Sequence, residues 1–267
     1  MRKTILKYLK PTTSKKITTP IPEVWSGAYN SWEDAEKKCS GYNENSILEK
    51  CKDALLKVKN NEAVYERDSF LFDKIEYSWP LLAGLEKVSI ENNNTLKVLD
   101  FGGSLGSTYF QNRSFLGNIN LTWGIVEQLH FVECGKEYFE SEELKFYGSM
   151  REALNNFKPN VVILSSVIQY LKEPYVWLEK INNLEIDYII IDRTALVDLD
   201  RDILTVQNVP KEIYEASYPS WFLLEEKILE KLKNYSLISD FDGTIETKIL
   251  LNNSINAYWK GYILKKK

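Results

Sequence analysis

The chain has 267 residues, 44% hydrophobic and 27% charged, and its 34 basic against 38 acidic side chains leave a formal net charge of −4. That length supports one large α/β domain with an appended helical piece, and the charge gives no footprint for nucleic acid. No apolar run reaches bilayer-spanning length and the N-terminus lacks the continuous apolar core of a secretion signal, so stable membrane insertion is not expected. Cys39, Cys51 and Cys134 are widely spaced without a C-x-x-C pair and read as free thiols of a reducing, cytoplasmic compartment.

Residues 1–24 are rich in Lys, Thr and Pro and read as a flexible basic arm. Arg2, Lys3, Lys7 and Lys10 alternate with Ile5, Leu6, Tyr8 and Leu9, which suits a solvated tail or a short amphipathic helix at a membrane surface. Residues 25–94 read as a helical cap. Ser31 with Asp34 begins like an N-cap, and Ala35, Cys39, Ile47, Leu48, Cys51, Leu55, Leu56 and Val58 recur at helical spacing, broken around Gly41, Asn43 and Asn45. Tyr65–Tyr77 reads as a third helix, and Trp79-Pro80 opens a fourth, since proline's fixed φ suits a first helical turn.

From residue 95 the period changes. Short apolar runs at 96–101, 122–126, 144–147, 161–165, 188–191, 235–241 and 258–264 alternate with helical or loop segments, the pattern of parallel strands joined by right-handed crossovers. Val161–Leu164 and Ile189–Ile191 lack polar alternation, so both faces of those strands should be covered. The chain closes on a strand, which suits a reversed final strand.

Within this region Leu99-Asp100-Phe101-Gly102-Gly103-Ser104-Leu105-Gly106 takes an apolar run into a glycine-rich turn, and Glu127 ends the next run 21 residues after Gly106. In an open α/β sheet such a turn brings backbone N–H groups close to a ligand, and the second acid can accept hydrogen bonds from a ribose diol, so an adenosine-containing cofactor is expected. Glycines at 102, 103 and 106 do not meet the G-x-G-x-x-G spacing that rests a pyrophosphate on a helix N-terminus. S-adenosylmethionine carries no phosphate; Asp100 suits its α-ammonium, helix amides beyond Gly106 its carboxylate, and Glu127 its ribose, with Gln128 beside it. The bland alternative is a strand-to-helix turn that binds nothing.

Val98–Gly106 resembles motif I of the class I S-adenosylmethionine-dependent methyltransferases, with Ser104 where many members carry glycine. Trp25–Trp32, Tyr65–Ser69, Trp79–Leu82, Ser165–Leu171, Asp192–Thr194 and Ser217–Phe222 are similar to a subfamily associated with surface polysaccharide (capsule or O-antigen) loci. The resemblance implies a Rossmann-like seven-stranded sheet with an antiparallel last strand over residues 95–267. It places Ser149 and Met150 near adenine, and Ser165 and Ser166 beside the methionine part. It further implies O-methylation of a sugar-type or phosphate-bearing acceptor, nucleotide-activated or not. The rival functions are an NAD-dependent oxidoreductase and a non-catalytic partner that keeps the fold for assembly. An oligomer is left open.

If the acceptor is a hydroxyl, a base must take its proton; an already ionised oxygen needs only placement. Asp192, read as ending the run 188–191, suits a base or a local cap, and Arg193 suits that carboxylate or an anionic substrate. Glu66, Arg67 and Asp68 read as a charged helix start among aromatics, where Arg67 suits a phosphate or carboxylate. Tyr170 and Gln169 suit the acceptor pocket. Tyr218–Phe222, and Trp25 with Tyr29 and Trp32, suit packing corners or sugar platforms, and the single histidine, His130, suits a surface or adenine-edge position. One histidine and scattered acids fall short of a metal ligand set, so a metal-independent reaction is expected.

Overall fold

The computed structural model describes residues 24–39, 44–209, 216–243, 248–252 and 254–267. The expected arm, but for Val24, lies outside them. In chain order the elements are β1 (Trp25–Tyr29), α1 (Trp32–Glu36), α2 (Glu44–Lys59), β2 (Tyr65–Arg67), β3 (Phe70–Phe72), α3 (Trp79–Glu91), β4 (Thr95–Phe101) and α4 (Ser107–Arg113). They continue with β5 (Asn120–Val126), α5 (Leu129–Tyr138), β6 (Leu144–Tyr147), α6 (Met150–Asn156), β7 (Val161–Ser165), a 3-10 turn (Ile168–Tyr170), α7 (Pro174–Asn182) and β8 (Tyr188–Val197). The last are β9 (Ile203–Asn208), β10 (Ser217–Phe222), α8 (Glu225–Lys231), β11 (Tyr235–Asp242), β12 (Lys248–Leu251) and β13 (Ile255–Lys266).

The main sheet runs β11-β13-β8-β7-β4-β5-β6, with the short β12 also on β13. β4 to β8 are parallel, while β13 is antiparallel to both neighbours. This is the expected doubly wound sheet of seven strands with a reversed last strand. Two-residue alternation divides its core. Val98, Val161 and Tyr188 stand in register and face one apolar cluster with Leu81, Leu85 and Val88 of α3 and Leu55 of α2. One step along, Leu99, Val162 and Ile189 face the other, with Ala153 of α6, Leu178 and Ile181 of α7 and Ile228 of α8. Both faces are therefore covered, and the runs without polar alternation are the central strands. The strand order reverses between β4 and β7, and a crevice opens there at the carboxyl ends.

Three expectations are corrected. Tyr65–Tyr77 is no helix: β2 and β3 form a hairpin in which Tyr65, Glu66 and Arg67 pair with Phe72, Leu71 and Phe70. Asp68 and Ser69 turn it with φ of 52° and 70°, and β-favouring aromatics flank the turn. Asp192 does not end its strand. It is the last β8 residue in register with β7, and β8 runs on to Val197 against β13 after Arg193 takes φ 55°. The N-terminal region is not all helix either, because β1 joins β9 and β10 in a three-stranded antiparallel sheet. That sheet ties to the extension of β8, where Val197 N–H donates to Leu223 and Leu223 N–H to Ala195. Ser31 does cap α1, accepting from Asp34 N–H at 3.2 Å, and Pro80 opens α3 as expected.

Among the described residues no helix is long and apolar enough to cross a membrane, and no three His, Cys, Asp or Glu side chains are grouped to hold a metal ion. The three cysteines are free.

Candidate active site

A cavity of about 230 Å³ opens at the switch point. Its floor is the glycine turn, Asp100 and Gly102 to Ser104, with Ser107 and Thr108 from the start of α4; Ser165, Ser166 and Arg193 follow from the ends of β7 and the bend of β8. Its walls come from outside the main sheet: Glu66, Arg67 and Asp68 of the hairpin, Cys51 of α2, Tyr170, and Gln207, Val209 and Tyr218 of the small sheet and its flank.

The turn has no room for side chains. A Cβ on Gly102 (φ 74°) would lie 2.4 Å from the Val167 side chain, and one on Gly103 2.6 Å from the Asp100 carboxyl carbon. Ser104 (φ 52°) and Gly106 (φ 108°) complete a path that favours glycine. Gly102 and Gly103 thus fit where a larger residue would collide with Val167 or Asp100, and both line the cavity.

Asp100 is 1% exposed and accepts from the Trp123 indole Nε1–H at 3.0 Å. Burial pushes its carboxyl up to about 7; the indole opposes the rise, and the Glu127 charge adds to it. Glu127 bridges the turn to its own strand end, Oε1 accepting from Ser104 N–H at 3.3 Å and Oε2 from Gln128 N–H at 2.7 Å. Burial raises this carboxyl, and the two N–H groups pull it back.

Glu127, Gln128, Ser149 and Met150 stand at the ends of β5 and β6 and do not line the cavity. Glu127 N–H donates to Tyr147 C=O at 3.1 Å, which holds those two ends side by side. The Ser149 hydroxyl accepts from Glu152 N–H at 3.2 Å and caps α6, while Met150 packs against the β7 side of the core. His130 lies on α5 against Phe131 and does not line the cavity.

Asp192 is 3% exposed and is not on the cavity wall. Its Oδ2 lies 3.4 Å from Arg193 Nε and accepts from Ser165 Oγ at 3.3 Å, while Oδ1 accepts from Ser78 Oγ at 3.4 Å. Asp192 thus lies behind Arg193, whose second terminal nitrogen (Nη2) donates to Ser165 Oγ at 3.0 Å. Ser166 (φ 54°) accepts from Gln169 Nε2 at 3.1 Å, and the same amide donates to Arg193 C=O.

Glu66 is 3% exposed and accepts from the Ser107 hydroxyl and, at 3.2 Å, from Ser69 N–H. Burial pushes it up to about 7. Arg67 lies over the Phe72 ring and 3.5 Å from Glu76. Tyr170 O–H donates to Gln207 Oε1 at 2.9 Å, and its ring meets Tyr218 edge-on at 5.3 Å. Burial pushes the Cys51 thiol up to about 12, which leaves it no nucleophile at neutral pH.

The chain thus brings Glu66, Arg67, Asp100, Gly102, Gly103, Ser104, Ser165, Ser166, Tyr170 and Arg193 to one cavity, whereas Gly106 lies off its lining at the start of α4. Gln207 and Val209 are wall residues that sequence reasoning missed. The run Ile203-Leu204-Thr205-Val206 was a strand signal that could have found the segment, but nothing in it told that its end meets Tyr170. Tyr218, read as a packing corner or sugar platform, lines the cavity.

No protein-family model matches the chain, and no curated protein matches it. Among solved structures it is similar to an S-adenosylmethionine-dependent methyltransferase from Clostridium acetobutylicum, at 14% identity and TM-score 0.42 over 69% of this chain and 92% of that one. It is similar to the N-terminal domain of EvdMO1, in the presence of SAH and D-fucose, at 10% identity and TM-score 0.45 over 85% and 98%. It is also similar to CalS10, an amino pentose methyltransferase from Micromonospora echinaspora, at 9% identity and TM-score 0.45 over 72% and 92%.

Proposed function

We propose that this protein is an S-adenosylmethionine-dependent methyltransferase acting on an oxygen of a small polar acceptor, a sugar or phosphate-bearing precursor of a cell-surface polysaccharide. The observation that carries this reading is the bare glycine turn with Asp100 beneath it and Glu127 beside it, opening at the switch point into a cavity walled by Arg67, Arg193, Tyr170 and Gln207. Gly102, Gly103, Ser104 and Gly106 form the backbone side of the cradle. Glu127 and Gln128 take the ribose and adenine edge, Ser149 and Met150 flank adenine, and Ser165 and Ser166 border the methionine part. When bound, S-adenosylmethionine supplies an electrophilic methyl group.

The chain's own residues have to place an acceptor oxygen in line with that group, which accounts for a large share of the rate in such displacements. The Arg193 guanidinium, held from behind by Asp192 and Ser165, suits an anionic group on the acceptor. The Tyr170 hydroxyl donates to Gln207, which fixes its position on the cavity wall. Asp192 serves as a positioning residue. The polysaccharide link rests on the resemblance of Trp25–Trp32 and the later segments.

Calorimetry with S-adenosylhomocysteine and, separately, NAD tests the cofactor: micromolar binding of the first is expected, and micromolar binding of NAD alone sinks the reading. Mass spectrometry of nucleotide sugars and phosphorylated precursors incubated with enzyme and cofactor then tests the acceptor, the expected product carrying one added methyl.

A further inference from the structure

The amino-acid end of S-adenosylmethionine is a zwitterion, so its ammonium needs an anionic partner in a site that excludes water. Three carboxylates hold hydrogen bonds around the glycine turn, and a fourth, Asp68, lies on the cavity wall at the hairpin bend. Asp100 has the expected place in the sequence, but it is roofed by Gly103 and committed to the Trp123 indole. Glu127 is drawn to the backbone of Ser104 and Gln128 at the end of β5. Glu66 differs from both. The β2–β3 hairpin delivers it from outside the sheet to the cavity wall, against Ser107, the first residue after the turn. Its two hydrogen-bond partners, the Ser107 hydroxyl and the Ser69 amide, are neutral donors.

We propose that Glu66 receives the α-ammonium of S-adenosylmethionine, so that the hairpin rather than the strand-end acid recognises this end of the cofactor. The assignment rests on the cofactor reading given above. A buried carboxylate without a cation is costly, and an ammonium brought against it offsets that cost. Burial pushes the Glu66 carboxyl up to about 7, with the Asp68 charge adding to the rise and the Ser107 and Ser69 hydrogen bonds and the Arg67 charge opposing it. Arg67, next in the chain and on the same cavity wall, supplies the opposite charge for the cofactor's carboxylate.

The test compares two ligands by calorimetry at about pH 8: S-adenosylhomocysteine and 5′-S-(3-carboxypropyl)-5′-thioadenosine, which lacks only the α-amino group. The wild-type protein is expected to prefer the first by about tenfold or more, the worth of one charge-assisted hydrogen bond. Glu66→Gln is expected to bind both alike, whereas Asp100→Asn keeps the preference. A preference that survives in Glu66→Gln, or one lost in Asp100→Asn alone, overturns the assignment and leaves the cofactor reading standing. Equal binding of both ligands by the wild type also overturns it, a result obtained without any variant. A wild type that binds neither ligand overturns the cofactor reading as well.

Discussion

Asp100 is a carboxyl that the folded state holds at a cost, buried with the Trp123 indole as its hydrogen-bond donor. Its carboxyl is raised to about 7 by burial, against an ordinary value of 3.8. At low pH the group is protonated in folded and unfolded chains alike. As pH rises from about 4 to about 7 the unfolded chain releases the proton while the folded chain keeps it, so stability falls across that window and then levels off. Glu66, also raised to about 7, adds to the same slope. Asp100→Asn is expected to match the wild type in urea unfolding near pH 4 and to exceed it near pH 8, by roughly 1–4 kcal/mol. Equal stability at both pH values would show that burial does not burden this carboxyl.

Asp192 invites a different measurement. Asp192→Asn leaves Arg193 without its ion-pair partner, and the acceptor KM should rise several-fold while the affinity for S-adenosylhomocysteine holds. Stability should drop by about 1–3 kcal/mol, because a partly buried guanidinium loses its counter-charge. An unchanged KM would detach Asp192 from Arg193. The positions of Asp100 and Glu127 at the ends of β4 and β5 were legible in the sequence, since an acid after an apolar run has few places to go in a parallel sheet. Which way Asp192 faces was not, because that depends on the left-handed bend at Arg193, where no glycine announces it.

At the scale of elements, the central strands of the main sheet were readable because both their faces are covered, so they show as short continuous apolar runs bounded by turns. The β2–β3 hairpin was hidden: its turn is Asp68-Ser69 rather than a glycine pair, and its strands are three residues each, too short for a period to show. The small sheet was hidden for another reason, since β1 finds its partner β9 some 180 residues away, beyond any local pattern. Ser149 has an element role beside its proposed place near adenine. Its hydroxyl is spent on the first turn of α6, and Ser149→Ala should lower stability by about 1 kcal/mol with cofactor affinity unmoved. A loss of affinity without a loss of stability would return the hydroxyl to the adenine side.

Considered whole, the molecule divides its labour between two sheets. The parallel sheet offers the glycine turn, while the small antiparallel sheet sends Gln207 and Tyr218 to the opposite wall. Gln207→Ala removes the acceptor for the Tyr170 hydroxyl. It should raise the acceptor KM by about tenfold and leave the affinity for S-adenosylhomocysteine intact, a split that steady-state kinetics and calorimetry together would register. If both constants worsen equally, the wall is not specific to the acceptor.

Past the bend at Arg193, β8 stays paired with β13 and also bonds Leu223, the residue just after β10, so one strand is tied to both sheets. Changes in β9 or β10 should therefore reshape the wall that carries Gln207 and Tyr218 while the glycine turn, built on β4, stays as it is. On the proposed function, such a layout would let the modified acceptor diverge while the methyl donor is kept.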